Sequence, residues 1–247
     1  MQPVPGAAIM VGSWPLAAGS WFPEHTHNAH QLNWAVGGVL GVRVGHRSWI
    51  LPPTLALWLP AGVPHRTGAT RDATLRSLFL SARLPDLGSG DPVPVAVDGL
   101  LLALAAHLER TDLAEDARTR AEGVVLDALR PLPTRPVAVP EPADPRCRAV
   151  ADALHRDPSD DRGLAALAAA AGSSRRTVSR LFVQDTGLSF ERWRRHLRVR
   201  AALPMLAEGR PVDAVARAVG YATPSAFLAA FRGVVGTSPS RYLGRRD

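Results

Sequence analysis

His25 and His27 stand two residues apart and Gln31 follows, within Gly19-Ser-Trp-Phe-Pro-Glu-His25-Thr-His27-Asn-Ala-His30-Gln31. Side chains alternate along extended backbone, so His25, His27 and Gln31 share one face while His30 points the other way. Imidazoles gathered on one face can hold a transition metal, hydrogen-bond a small effector, or sit packed and satisfied in a core. A second group carries different chemistry. Arg176, Ser179 and Arg180 lie opposite Val178, Leu181 and Phe182 on a helical wheel. Arginine pairs bidentately with guanine or binds phosphate, and serine contacts either. The plainer use of such a face is solvation of a bundle helix.

The arginine face belongs to a repeated arrangement. Gly163-Leu-Ala-Ala-Leu-Ala-Ala-Ala-Ala-Gly172 precedes Ser173-Ser-Arg-Arg-Thr-Val-Ser-Arg-Leu-Phe182. About fifty residues on, Pro211-Val-Asp-Ala-Val-Ala-Arg-Ala-Val-Gly220 precedes Tyr221-Ala-Thr-Pro-Ser-Ala-Phe-Leu-Ala-Ala-Phe231. Each unit is an apolar helix, a glycine able to take the left-handed conformation, a Ser/Thr cap and a second amphipathic helix. Two such units, closed by Gly236-Thr-Ser-Pro-Ser-Arg-Tyr242, resemble the DNA-binding domain of the AraC/XylS transcription regulators.

That resemblance covers about residues 148–243 and implies two recognition helices entering successive major grooves. The candidate contacts in the first unit are Arg175, Arg176, Ser179 and Arg180; in the second they are Thr223, Ser225, Leu228, Ala229 and Arg232. The second face is poorer in polar groups, with Ala229 where the family often has arginine. It is expected to touch mostly backbone, plus a thymine methyl through Leu228 or Ala229. Between the units, Ser189–Leu203 reads as the connecting helix, with Trp193, Leu197 and Ala201 inward. Arg194, Arg195 and Arg198 on it are either phosphate contacts or solubility charge. Pro204 predicts a kink or an early stop.

The histidine segment, followed by Pro60-Ala-Gly62-Val-Pro-His65, is similar to the two signature motifs of the cupin fold, a double-stranded β-helix barrel. Gln31 replaces a glutamate of that pattern, Thr54 a glycine and Ala69 an asparagine. The resemblance adds His65 to His25, His27 and Gln31 as an effector pocket or metal site. Three imidazoles and an amide oxygen suit Zn, Ni, Mn or Fe, and the neutral amide binds more weakly than a carboxylate. A metal-free effector pocket and purely structural histidines remain the alternatives. Trp21, Trp34 and Trp58 either wall this pocket or belong to the core.

Charge separates the two halves. All 29 basic residues are Arg; residues 1–147 hold 12 of them against 13 acidic residues, and residues 148–247 hold 17 against 9. A basic C-terminal part fits a polyanionic partner. The single cysteine, Cys147, excludes an intrachain disulfide and a Cys-based zinc finger. No apolar run approaches the roughly 18 residues of a membrane span, and the start lacks the basic segment of a secretory signal. A cytoplasmic location is expected.

The reading is therefore α+β and multidomain. It divides into a cupin-like β-barrel sensor (1–90), a helical dimerisation and coupling segment (91–132), a Pro-rich linker (133–145) and an all-α tandem helix-turn-helix domain (146–247). Strands are predicted at Gln31–Val36, Val39–Val44, Trp49–Leu51, Leu55–Leu59 and Thr74–Leu80. Helical stripes are predicted through Leu101, Leu104, Ala105 and Leu108, and through Val124, Val125 and Leu129. The whole implies a non-enzymatic regulator binding double-stranded DNA as a homodimer under a small-molecule effector, with RNA polymerase a partner if it activates, and no membrane. The rival is a cupin-type metal-dependent dioxygenase or isomerase fused to a DNA-binding domain, which turnover on added Fe or Mn would reveal.

Overall fold

Gly37 and Gly38 carry the chain from a strand of one sheet, ending at Val36, to a strand of another, starting at Val39, and both take positive φ, which glycine adopts at no steric cost. Gly38 is further constrained because an added Cβ would strike the Asp72 carbonyl. The computed structural model describes residues 8–45, 47–84, 86–132 and 137–243. These fall into two compact units.

The first unit is built on antiparallel sheets. Strands β1 (Ile9–Leu16), β2 (Ala29–Val36), β3 (Val39–Val44), β4 (Arg47–Leu51), β5 (Leu55–Leu59), β6 (Arg66–Arg71), β7 (Ala73–Ser81) and β8 (Val93–Ala96) follow in order, the first two residues of β4 belonging to the second unit. Five form one sheet in the order β1-β7-β2-β5-β8, and β6 pairs with β3 opposite. Alternation divides the work of the larger sheet. Leu32, Trp34, Leu78 and Leu80 pack with Leu101, Ala105 and Leu108 of helix α1 (Gly99–Leu108) and Ala121 and Val125 of α2 (Glu115–Ala128). The residues of opposite parity, Gln31, Asn33, Ser77 and Phe79, lie on the other face, with Gln31 opposite Phe79 and Asn33 opposite Ser77.

Two expectations are corrected in this unit and one open alternative is decided. Val93–Ala96 is a strand paired with β5, where helical periodicity was expected to be taking over. The α2 stripe runs through Arg118, Ala121, Glu122 and Val125, leaving Val124 exposed. Arg118 and Glu122 are buried there because they serve the backbone. Glu122 accepts from the Ala8 and Ile9 amides, and Arg118 donates to the Ile9 and Leu108 carbonyls. Trp34 and Trp58 are core residues rather than pocket walls, with Trp58 stacked on His30 at 4.9 Å. Trp21 packs flat where Gly41 and Gly68 leave room, under the Arg43 guanidinium.

The second unit is helical: α3 (Pro145–Arg156), α4 (Leu164–Ala170), α5 (Arg175–Thr186), α6 (Phe190–Ala207), α7 (Val212–Ala218), α8 (Pro224–Val235) and α9 (Pro239–Tyr242). The hydroxyls of Ser174, Ser189, Thr223 and Ser238 each accept the amide proton three residues on, which starts α5, α6, α8 and α9. Phe182 sets Phe190 and Trp193 edge-on in one core; Tyr221, Phe227, Phe231 and Tyr242 chain through another. Pro204 does not end α6 early, since the helix runs on three residues to Ala207. The segment read as a linker is bound in this unit from residue 137 onward, while 133–136 lie outside the described residues. Val137–Ala138 (β9) pairs with Arg47–Ser48, and Trp193 and His196 hydrogen-bond to the Pro140 and Ala138 carbonyls at 2.7 Å each.

Candidate effector pocket and nucleic-acid interface

The histidine segment reaches its partner through a short antiparallel bridge. His25 and His65 exchange both backbone hydrogen bonds at 3.0 Å. Gly62 takes the left-handed conformation in the turn before His65, and its amide donates to the His27 carbonyl. This turn seats His65 against the other two rings. The ring centroids of His25 lie 4.5 Å from His65 and 4.9 Å from His27, and one nitrogen from each of the three lies within 4.8 Å of the others.

Main-chain carbonyls decide which nitrogens are available. The His25 Nδ1 lies 2.8 Å from the Pro23 oxygen and the His65 Nδ1 2.9 Å from that of Val63. A carbonyl only accepts, so both Nδ1 atoms carry the proton and both Nε2 atoms present a lone pair. The His65 Nε2 is buried without a partner. Burial, reinforced by the neighbouring His25 and His27, pushes the His65 pKa down to about 4, against a smaller upward pull from the Val63 carbonyl. Burial followed by the His25 charge lowers that of His27. Both shifts favour the neutral ring at His27 and His65, the form that ligates metals.

Gln31 is buried beside it. Ser77 Oγ donates to Asn33 Oδ1 at 2.6 Å, Gln31 Nε2 donates to Ser77 Oγ at 3.3 Å, and Gln31 Oε1 is left buried and unpartnered. A cavity of about 330 Å³ opens in front of these groups, its apolar lining including Trp14, Phe22, Leu75 and Phe79. His25, His27 and Gln31 line it, His65 joins through the cluster, and His30 faces elsewhere to accept the Ala61 amide proton. Sequence reasoning missed the aromatic walls and the Ser77–Asn33 relay. The parity of Leu75, Ser77 and Phe79 on one strand was the available signal, because all three share the Gln31 face.

In the helical unit, Arg175, Arg176, Ser179 and Arg180 are all exposed on α5, opposite buried Val178 and Phe182. On α8, Ser225, Ala229 and Arg232 are exposed and Leu228 is half-buried. The Thr223 hydroxyl oxygen accepts the Ala226 amide proton as the cap of α8, and its own proton remains for an outside acceptor. The three α6 arginines divide. Arg195 is exposed, whereas Arg194 is buried, donating to the Arg162 carbonyl at 2.6 Å over the Phe190 ring. Arg198 spends its guanidinium on the Pro158, Asp160 and Gly220 carbonyls. Of the two uses expected for these residues, neither applies to Arg194 or Arg198, which fasten backbone instead.

Comparison with known proteins bears on both units. Residues 14–91 match the AraC-like ligand binding domain family, and residues 167–245 match a helix-turn-helix domain family. The chain is 31% identical over 226 residues to the HTH-type transcriptional regulator NimR of Escherichia coli, covering 90% of this chain and 82% of that protein. It is 38% identical over 116 residues to the HTH-type transcriptional regulator RipA of Corynebacterium glutamicum, covering 47% of this chain and 35% of the relative. Among solved structures, ToxT of Vibrio cholerae aligns over 96% of this chain and 97% of its own at 12% identity, with a TM-score of 0.38.

Proposed function

The chain belongs to the AraC-type helix-turn-helix transcriptional regulators, and from that premise we propose that the occupant of its histidine pocket governs its binding to promoter DNA. The observation that carries the reading is the convergence of three imidazole nitrogens within 4.8 Å, with His25 and His65 oriented by backbone carbonyls and the buried His65 Nε2 unpartnered. Leaving such an atom unsatisfied costs about 1–3 kcal/mol, which a ligand recovers. His25, His27 and His65, with the Gln31 oxygen, would hold a divalent transition metal, and their Nδ1–carbonyl bonds are the outer contacts that fix ligand orientation. When bound, the metal supplies a Lewis-acidic centre for an effector donor atom. Occupancy acts on DNA binding only through a difference in affinity between two arrangements of the protein, and about 1–3 kcal/mol suffices.

Elemental analysis of untagged protein tests this. Near-stoichiometric metal in the native chain, lost in His25→Ala and His65→Ala variants that keep their fold, is the expected result. Absence of metal from the native chain after incubation with Zn, Ni, Mn or Fe overturns it.

On the DNA side, Arg176→Ala or Arg180→Ala is expected to cost roughly 1–3 kcal/mol on the specific site and to relax preference at one base position. Titration of a selected operator checks this. A loss shared equally by specific and unrelated sequences would assign the residue to phosphate instead. Homodimerisation and a cytoplasmic location belong to the same proposal. Leu100 and Leu102 on α1 and Val124 on α2 are exposed apolar side chains on the proposed dimerisation segment, and no described helix is long and apolar enough to cross a membrane.

A further inference from the structure

Resting on the metal reading above, the chemistry of the donor set specifies the charge of the effector. The orientation of Gln31 is determined by its neighbours. Asn33 Oδ1 can only accept, so the single Ser77 proton goes to it across the 2.6 Å bond. Ser77 then has lone pairs alone to offer Gln31, which must turn its NH₂ toward Ser77. Asn33 in turn donates its own NH₂ to Thr67 Oγ1 at 3.4 Å. The consequence is that Gln31 brings a neutral carbonyl oxygen to the cavity, and the atom is buried and unpartnered.

An imidazole ligates a metal only through a nitrogen lone pair, in its neutral form, so all four donors to a bound ion are uncharged. No Asp or Glu lines the cavity among the described residues, and none joins the three-histidine cluster. A divalent ion in this set keeps its full double charge against walls of Trp14, Phe22, Leu75 and Phe79. Desolvated charge without a counter-charge is costly in such surroundings. The protein withholds the negative charge, so the occupant must bring it. At about 330 Å³ the cavity stands near the lower limit of ordinary small-molecule pockets, which run from about 300 to 1,000 Å³.

We infer that the effector is a small organic monocarboxylate. Its carboxylate enters the coordination sphere beside His25, His27, His65 and Gln31, and its apolar body packs against Trp14, Phe22, Leu75 and Phe79. The coordination replaces a solvent ligand, with no covalent bond formed or broken in the organic molecule. A neutral isostere fits the same walls and leaves the charge uncompensated. Substituting Gln31→Glu supplies one negative charge from the protein and removes part of the demand.

The test uses the full-length chain loaded with Co(II), whose visible absorption reports its ligands. Phenylacetate is titrated against 2-phenylacetamide, its neutral counterpart. The expected result is a saturable spectral change with phenylacetate, at least tenfold weaker or absent with the amide. Gln31→Glu should retain Co(II) more tightly and respond to phenylacetate at least tenfold more weakly. If Co(II) does not bind, the metal reading itself fails. If Co(II) binds and the spectrum ignores phenylacetate, or answers both molecules alike, only hydroxide or water completes the site and the effector assignment is overturned. Should the Gln31→Glu protein fail to fold, the acid-against-amide comparison on the native chain decides alone.

Discussion

Arg198→Ala is expected to destabilise the helical unit by about 2–4 kcal/mol and to weaken operator binding by more than either recognition-helix arginine alone. The guanidinium donates from Nε to the Pro158 carbonyl at 3.0 Å, from Nη2 to that of Asp160 at 3.0 Å and from Nη1 to that of Gly220 at 2.8 Å. Pro158 and Asp160 lie in the connection between α3 and α4, before the first helix-turn-helix. Gly220 lies in the turn of the second, in the left-handed conformation. One side chain on α6 thereby ties the entry of one DNA-reading unit to the elbow of the other, with the Tyr221 ring 5.6 Å from its Cζ. Charge-assisted bonds contribute about 1.5–3 kcal/mol each, and the half-buried site lets water replace part of the loss, hence the lower total. Lysine offers a compact point charge rather than a fork, so Arg198→Lys should recover little. Urea unfolding and operator titration of both variants provide the check. A lysine variant matching the native chain in both would show that the three carbonyls need no common donor.

Sequence reading succeeded where local pattern and tertiary demand coincide. The α5 and α8 faces were legible because Val178, Leu181 and Phe182, and Phe227, Phe231 and Val234, follow the helical period and are all buried. The break at Gly37-Gly38 between β2 and β3 was legible because glycine takes positive φ at no steric cost. Strand β8 was not, since Val93-Pro94-Val95-Ala96 is short and contains proline, which an edge strand tolerates. Strand β6, Arg66–Arg71, offers no apolar alternation. Its Gly68 makes sense only once Trp21 is seen lying against it. Arg195 and Arg198 illustrate a limit of another kind. Both read as charges on a surface helix, and only the position of main-chain carbonyls separates the exposed one from the one that fastens two turns. His25, His27 and Gln31 were visible as alternation and His65 through the family resemblance, whereas the burial that lowers the His65 pKa and the rotation of Gln31 depend on groups distant in sequence, Ser77 among them.

Acidification is expected to remove about 3 kcal/mol from the stability of the metal-free N-terminal unit, most of it through His65. This side chain is 2% exposed, and its pKa is lowered to about 4 chiefly by burial, from 6.5 in an exposed chain. A depressed histidine pKa means that the unfolded chain binds protons at a pH where the native protein still refuses them. Stability is therefore complete above about pH 6.5, falls steadily as the pH drops toward 4, and levels off below that. His27, lowered by burial and by His25, acts in the same direction. His65→Gln removes the titrating group while keeping a polar side chain, so its unfolding free energy should change far less between pH 7 and pH 4. Comparing the two proteins across that range cancels the contribution of His196, whose pKa is also lowered by burial. A bound metal sharpens the dependence, because protons and the ion compete for the same nitrogens. Parallel curves for the native chain and His65→Gln would mean that His65 accepts its proton as readily folded as unfolded, and the argument for a neutral His65 would fall with it.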